Sequence, residues 1–164
     1  MIGDPSYFPK DKLRPTGQVV RTICFLNHPI QGTNNSESVQ IIIPGPQVKR
    51  ENDVFVCSVS HAHAVCANGV YIAIVSTKVE TSNPESEVED GIKLLGPIMQ
   101  RFTSVATTYE PISDGLDDKV FISKSFDGTS HFEKDCDDLL SLYKRITGTE
   151  LDMNINADSV EADY

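Results

Sequence analysis

Short apolar runs alternate along this chain with polar breaks rich in Pro, Gly and Asn. Residues 19–26, Val19-Val20-Arg21-Thr22-Ile23-Cys24-Phe25-Leu26, are apolar on both alternating faces, which predicts a strand in a sheet covered on both sides. Val39-Gln40-Ile41-Ile42-Ile43 predicts a short β-branched strand stopped by Pro44-Gly45-Pro46. Residues 54–60 alternate, with Val54, Val56, Ser58 and Ser60 on one face and Phe55, Cys57 and Val59 on the other. Residues 70–79 form a longer run. The pair Asn68-Gly69 before it is a turn signal, so 54–60 and 70–79 are expected to be antiparallel neighbours. Residues 1–16, punctuated by Pro5, Pro9 and Pro15, read as loop.

Helical spacing appears later. Val88, Ile92, Leu95, Met99 and Phe102 form one stripe, predicting a helix over 84–102 that Pro97 should kink. Strand signals follow at 104–109 and 119–125. A second helix is expected after a capping box of Ser130 and Glu133. Phe132, Cys136, Leu139, Leu140 and Tyr143 would be its apolar face. Asp135, Asp137 and Asp138 sit near its positive end, Lys144 and Arg145 near its negative end, and Gly148 is its stop. About six strands with two late helices predict the α+β class.

The 164 residues suffice for one domain with a real core. A formal net charge of -10 makes nucleic acid a poor partner and disfavours an anionic membrane surface. After Gly148 the chain carries Glu150, Asp152, Asp158, Glu161 and Asp163 with no Lys or Arg, so 149–164 reads as an acidic, disordered tail. No apolar stretch approaches the ~20 residues of a membrane span, so no stable membrane insertion is expected. No signal peptide and no terminal prenylation Cys are visible. Cys24, Cys57, Cys66 and Cys136 match no zinc or redox spacing and read as buried free thiols in a reducing cytosol.

Candidate chemistry is thin. His61 and His63, between Cys57 and Cys66, would share one face of a strand, and two imidazoles with two thiols suggest zinc. The spacing is not a zinc spacing, and the bland reading is two strand-end histidines. Cys136 with His131 suggests a nucleophile pair, but five residues is a poor helical match and the acidic surroundings disfavour a thiolate. Ser82–Asp90 and Asp114–Asp118 lack the alternating ligand loop of a calcium site and read as solvated faces. No phosphate loop or dinucleotide fingerprint is present. No catalytic, cofactor-binding or metal residue is therefore assigned, and no cofactor is expected.

Several segments resemble the Rab GDP-dissociation inhibitor family. These are Asp4-Pro5-Ser6-Tyr7 with Gly17-Gln18-Val19-Val20-Arg21, then Leu26-Asn27-His28-Pro29-Ile30, close to a family L-S-H-P-I. Further on come Gln40-Ile41-Ile42-Ile43-Pro44 with Gln47-Val48, and Tyr71-Ile72-Ala73-Ile74-Val75-Ser76-Thr77 with Val79-Glu80-Thr81. Last are Thr129-Ser130-His131-Phe132-Glu133 and Tyr143-Lys144-Arg145. The resemblance covers residues 4 to about 151. It departs from the family at His61, where an aromatic is usual, and at Cys66, where a small residue is.

The resemblance implies a protein about three times this length, with a large domain related to FAD-dependent oxidases and a small helical domain. Such a protein is cytoplasmic, is not an enzyme and uses no FAD. It binds prenylated, GDP-bound Rab GTPases, slows GDP release and carries Rab between membranes and cytosol in vesicle transport. On this reading 1–148 is the C-terminal portion of the large domain, incomplete without upstream segments. The Rab-binding platform and prenyl pocket lie upstream, so no partner-binding residue is carried onto this chain. Its start falls mid-family, as in a truncated gene model, a spliced product or an isolated piece. A Rab escort protein is the near alternative, and an amine-oxidase-type flavoenzyme piece the alternative of another class.

Overall fold

The computed structural model describes residues 1–129 and 133–154. Seven strands are formed among them: β1 (Ile2–Gly3), β2 (Leu13–Leu26), β3 (Ser38–Ile43), β4 (Val54–Ser60), β5 (Tyr71–Lys78), β6 (Gln100–Pro111) and β7 (Phe121–Ile122). Two α-helices are formed, α1 (Glu89–Leu94) and α2 (Glu133–Thr147). The α+β class holds.

The chain folds as two compact units. The larger comprises Pro15–Tyr109 with the described part of Ser125–His131. Its centre is a five-stranded sheet in the order β3-β4-β5-β2-β6. The expected antiparallel pairing of β4 with β5 is present, with Cys57 opposite Ile74 and Val56 opposite Val75. Register places Ile41, Val56, Val75 and Thr22 in one row, and Val39, Ser58, Ala73 and Cys24 in the next, on one face. Val20, Cys24, Leu26, Val54, Val56, Ala73 and Val75 form the core there, with Val88, Ile92 and Leu95 packed among them. Each Val, Leu or Ile side chain among them, fully buried, is worth roughly 1.5–3 kcal/mol relative to exposure.

Two expectations for this unit needed correction. The stripe over 84–102 is not one helix. Pro84–Val88 is a 3-10 turn, α1 stops at Leu94, and Gly96 takes a left-handed φ of +74° just before Pro97. A left-handed glycine followed by proline ends a helix; it does not bend it. Val88, Ile92 and Leu95 keep helical spacing and reach the core, whereas Met99 is exposed and Phe102 lies on β6. Residues 13–16 are strand, not loop. Within β2 only Val19–Leu26 pair with β5, so around Pro15 no β5 partner is waiting for the missing N–H.

The smaller unit comprises Met1–Arg14, Glu110–Lys124 and the described part of Phe132–Tyr164. β1 and β7 pair in parallel, Ile2 opposite Phe121 and Gly3 opposite Ile122. Only Phe121–Ile122 of the expected 119–125 strand is regular. Lys12 Nζ and Asp118 form an ion pair at 2.5 Å, and Arg14 another with Glu110 at 2.5 Å. In α2 the inward residue is Leu142, buried, on the side shared by Asp135, Asp138 and Arg145. Asp138 accepts the Lys124 backbone N–H at 2.8 Å, and Arg145 donates to the Asp114 carbonyl at 3.2 Å. The stripe expected to face inward, Cys136, Leu139, Leu140 and Tyr143, is exposed instead. Phe132 and the Ser130 half of the capping box lie outside the described residues, as does 155–164 of the expected tail. Gly148, at φ +79°, closes the helix as expected, its N–H donating to the Lys144 carbonyl at 2.9 Å.

Candidate functional site

The sheet of the larger unit has a second face, opposite the core. Its rows are equally regular: Ile42, Phe55, Ser76 and Arg21; then Gln40, Cys57, Ile74 and Ile23; then Ser38, Val59, Ile72 and Phe25. The alternation in 19–26 and 54–60 dictates this, because both parities of each strand are apolar. The first row is closed by the segment after Tyr109: Ser76 Oγ donates to the Gly128 carbonyl at 2.8 Å and Arg21 to the Asp127 carbonyl at 3.3 Å. Cover is thinner elsewhere: Ile42, at the far end of that row, is 39% exposed and Ile23, in the next row, 38%. Phe102 meets the Phe25 ring edge-on at 6.1 Å and is itself 52% exposed. The expectation that β2 needs cover on both faces finds one face covered by α1 and the other partly open.

A buried polar network fastens the edge of the core face. Arg50 pairs with Glu87 at 2.7 Å, with Glu80 at 3.4 Å, and donates to the Lys78 carbonyl at 2.9 Å. Glu87 is 6% exposed and accepts the backbone N–H groups of Glu80 and Thr81 and the Thr81 hydroxyl, the last two at 2.8 and 2.7 Å. Burial pushes the Glu87 carboxyl up, but the Thr81 hydroxyl, these N–H groups and Arg50 outweigh it and hold it below the ordinary glutamate range. Glu80 behaves alike: burial raises it, while hydrogen bonds from Asn52 and Glu51 bring it below. Arg50 Nε has no hydrogen-bond partner among the described residues, a cost of about 1–3 kcal/mol that the pairing must exceed. The Val79-Glu80-Thr81 segment and the loop after Gln47-Val48 thus meet in one latch. No spacing rule links Arg50 with Glu87.

The candidate zinc ligands are placed apart from the strand expected for them. His61 and His63 lie in a 3-10 turn, His61–His63, not on a strand, with Ser60 Oγ capping it through the Ala62 N–H at 3.1 Å. Glu37 takes the Ser60 hydroxyl hydrogen, and its carboxylate lies 3.9 Å from His61 Nδ1. Cys66 Sγ donates to the Val70 carbonyl at 3.0 Å. Among the described residues no group of three or more His, Cys, Asp or Glu is placed to hold a metal ion. The four thiols are free, but only Cys24 is buried, Cys57 and Cys66 are half-buried and Cys136 is exposed. Burial pushes the Cys24 and Cys57 thiols up, away from the reactive thiolate. His131 lies outside the described residues. Asp118 is engaged by Lys12, whose hydrogen bond holds its carboxyl low. Among the described residues no helix is long and apolar enough to cross a membrane.

One polar side chain of the Leu26-to-Ile30 segment does join distant chain. His28 Nδ1 lies 2.8 Å from the Pro29 carbonyl and its Nε2 lies 2.9 Å from the Pro97 carbonyl. Nearby, the Met99 N–H donates to the Phe25 carbonyl at 2.9 Å. Sequence reasoning quoted His28 only as part of a motif.

Comparison with known proteins gives this architecture a family. The model of the GDP dissociation inhibitor family matches residues 1–158. A probable secretory pathway GDP dissociation inhibitor 1 from Schizosaccharomyces pombe is 54% identical over 92% of this chain and 34% of its own length. Rab GDP dissociation inhibitor beta from Rattus norvegicus is 51% identical over 93% of this chain and 34% of its own length. A crystal structure of Rab GDI from Plasmodium falciparum superposes with a TM-score of 0.87 at 43% identity, over 92% of this chain and 35% of that one. The chain spans about a third of the length of the curated relatives it matches. An α+β chain matched by the family model over residues 1–158 and about half identical to these relatives belongs to the GDP dissociation inhibitor family.

Proposed function

We propose that this chain works as the C-terminal third of a Rab GDP-dissociation inhibitor. The observation that carries the reading is the family match across residues 1–158. The whole protein binds prenylated, GDP-bound Rab, slows GDP release and carries Rab between membranes and cytosol in vesicle transport, without catalysing a reaction. It needs no flavin and resides in the cytoplasm.

Within that protein, residues 1–148 are part of the large domain, completed by upstream segments, and 149–164 are its acidic tail. The partly open rows of the sheet support this, because an apolar sheet face is stable only under another layer. The Rab platform and the prenyl pocket belong to the upstream chain, so this third supplies scaffold.

The test is extraction of GDP-loaded prenylated Rab from liposomes. Full-length rat Rab GDP dissociation inhibitor beta should release Rab into the supernatant; residues 1–164 alone should leave it on the membrane. Efficient release by this chain alone would falsify the placement of the binding surface upstream.

A further inference from the structure

We propose that Asn68 is a self-modifying site: its side-chain amide is lost to attack by the Gly69 backbone nitrogen, leaving aspartate or isoaspartate in the turn between β4 and β5. The step uses only the chain and water. A base in the solvent takes the Gly69 N–H proton, and the nitrogen bonds to the Asn68 side-chain carbonyl carbon. The bond from that carbon to the amide nitrogen breaks, and the amide takes up a proton and leaves as ammonia. A closed succinimide ring remains. Water then opens it. Attack at the carbonyl that came from the side chain gives aspartate. Attack at the main-chain carbonyl gives isoaspartate, in which the backbone runs through the side-chain carbon.

The fold leaves the reacting groups open. Asn68 and Gly69 are exposed, at the tip of a turn. Bonds close the turn around them: the Val70 N–H donates to the Ala67 carbonyl at 3.0 Å, and Cys66 Sγ donates to the Val70 carbonyl at 3.0 Å. Among the described residues neither the Asn68 amide nor the Gly69 N–H has a hydrogen-bond partner. Gly69 takes a φ of +78°, and a Cβ built on it would meet nothing within 4 Å. Glycine adopts this φ without strain and, lacking a side chain, leaves its own nitrogen unshielded. The pair that encodes the turn therefore supplies both the electrophile and the nucleophile.

The other described asparagines each lack one of these conditions. Asn83 precedes Pro84, which has no N–H to lose. Asn52 Nδ2 is held by a Glu80 carboxylate oxygen at 2.9 Å. Asn35 precedes Ser36, whose N–H donates to the Thr33 carbonyl at 3.1 Å. Asn27, Asn34 and Asn154 precede His28, Asn35 and Ile155, whose side chains crowd the attacking nitrogen. Either product adds a carboxylate to the turn. Isoaspartate also lengthens the main chain between Ala67 and Val70, across the bond that closes the turn just before β5 begins at Tyr71.

The experiment incubates the 164-residue chain near neutral pH, folded and in urea, and follows every asparagine by peptide mapping with electron-transfer fragmentation. The turn joins β4 and β5, neither of them an edge strand, and mass is read on digested peptides, so association through β3 or β6 does not enter the readout. In the folded chain Asn68 should lose its amide before any other asparagine, at a rate comparable to that in urea, and both isoaspartate and aspartate should form. N68Q, whose longer side chain closes the ring poorly, should lose the mass shift of this peptide. The proposal is overturned if Asn68 is still intact in the folded chain when it is fully converted in urea. It is overturned equally if another asparagine converts first, if aspartate forms without isoaspartate, or if the same mass shift persists in N68Q.

Discussion

Gly91 lies directly over Val75: a Cβ built on Gly91 would stand 2.5 Å from Val75 Cγ1 and 3.2 Å from Val54 Cγ1 and Val56 Cγ2. The helix rests on the valines of β4 and β5 through bare backbone, and that approach lets Val88, Ile92 and Leu95 reach the core. Gly91→Ala gains up to about 1 kcal/mol of helix propensity. It also forces α1 off the sheet, which costs roughly 1–3 kcal/mol by overpacking. We expect net destabilisation, read as a lower urea midpoint with unchanged slope. A midpoint equal to or above that of the unsubstituted chain would show that α1 has room to lift.

Glu87→Gln should destabilise by about 3 kcal/mol, the lower end for breaking a buried ion pair, since Glu80 stays 3.4 Å from Arg50. The same pair sets an acid response. The folded-state values of Glu87 and Glu80 lie below the ordinary 4.5. Their contribution is thus fully present above that value and is lost as pH falls through the depressed values. Melts at pH 7, 5 and 3 should show a steep loss toward pH 3 in the unsubstituted chain and a shallower one in Glu87→Gln. Parallel pH curves for the two chains would mean that Glu87 is not a source of the acid response.

The Leu142 and Leu139 pair separates the sequence stripe from the fold. The stripe names Leu139 as core-facing, whereas the structure buries Leu142 to 6% exposure and leaves Leu139 at 59%. Leu142→Ala should cost about 2–5 kcal/mol and Leu139→Ala within about 0.5 kcal/mol. Denaturant midpoints of the two variants decide; equal costs would restore the sequence assignment.

That pair also shows where the sequence was legible. Period-two alternation in 54–60 groups Val54, Val56, Ser58 and Ser60 on one face, and all four are buried; the register that aligns Ile41, Val56, Val75 and Thr22 is set between strands and is not written in any one of them. Helical periodicity was less decisive. In α2 apolar residues occupy most directions, Leu142 as well as Leu139, Leu140 and Tyr143, so spacing alone cannot say which direction is inward. In 84–102 the stripe ran on through Gly96 and Pro97, although backbone geometry there overrides side-chain pattern. The Arg50–Glu87 pair and the reach of His28 to Pro97 depend on loop closure across many residues, which no local rule encodes.

Ile23, Ile42 and Phe102 are large apolar groups left substantially in water, and β6 and β3 are edge strands of the sheet. Restoring cover to each such side chain is worth up to roughly 1.5–3 kcal/mol, against a whole-domain stability of about 5–15 kcal/mol. Unpaired edges recruit other chains. The net charge of -10 opposes association, but repulsion between surface charges is screened beyond about 10 Å at 0.1 M salt, while burial of an apolar face is not. The isolated chain should therefore bind a hydrophobic dye and self-associate, more so as salt rises. Ile23→Lys with Phe102→Lys should cut dye binding at little cost to the melt, because both side chains are already partly solvated. Size-exclusion chromatography with light scattering, a dye titration and a thermal melt test this. A monomer with a cooperative melt and no dye binding would mean that the sheet face needs no further layer and that this third of the relatives' length is a self-sufficient domain.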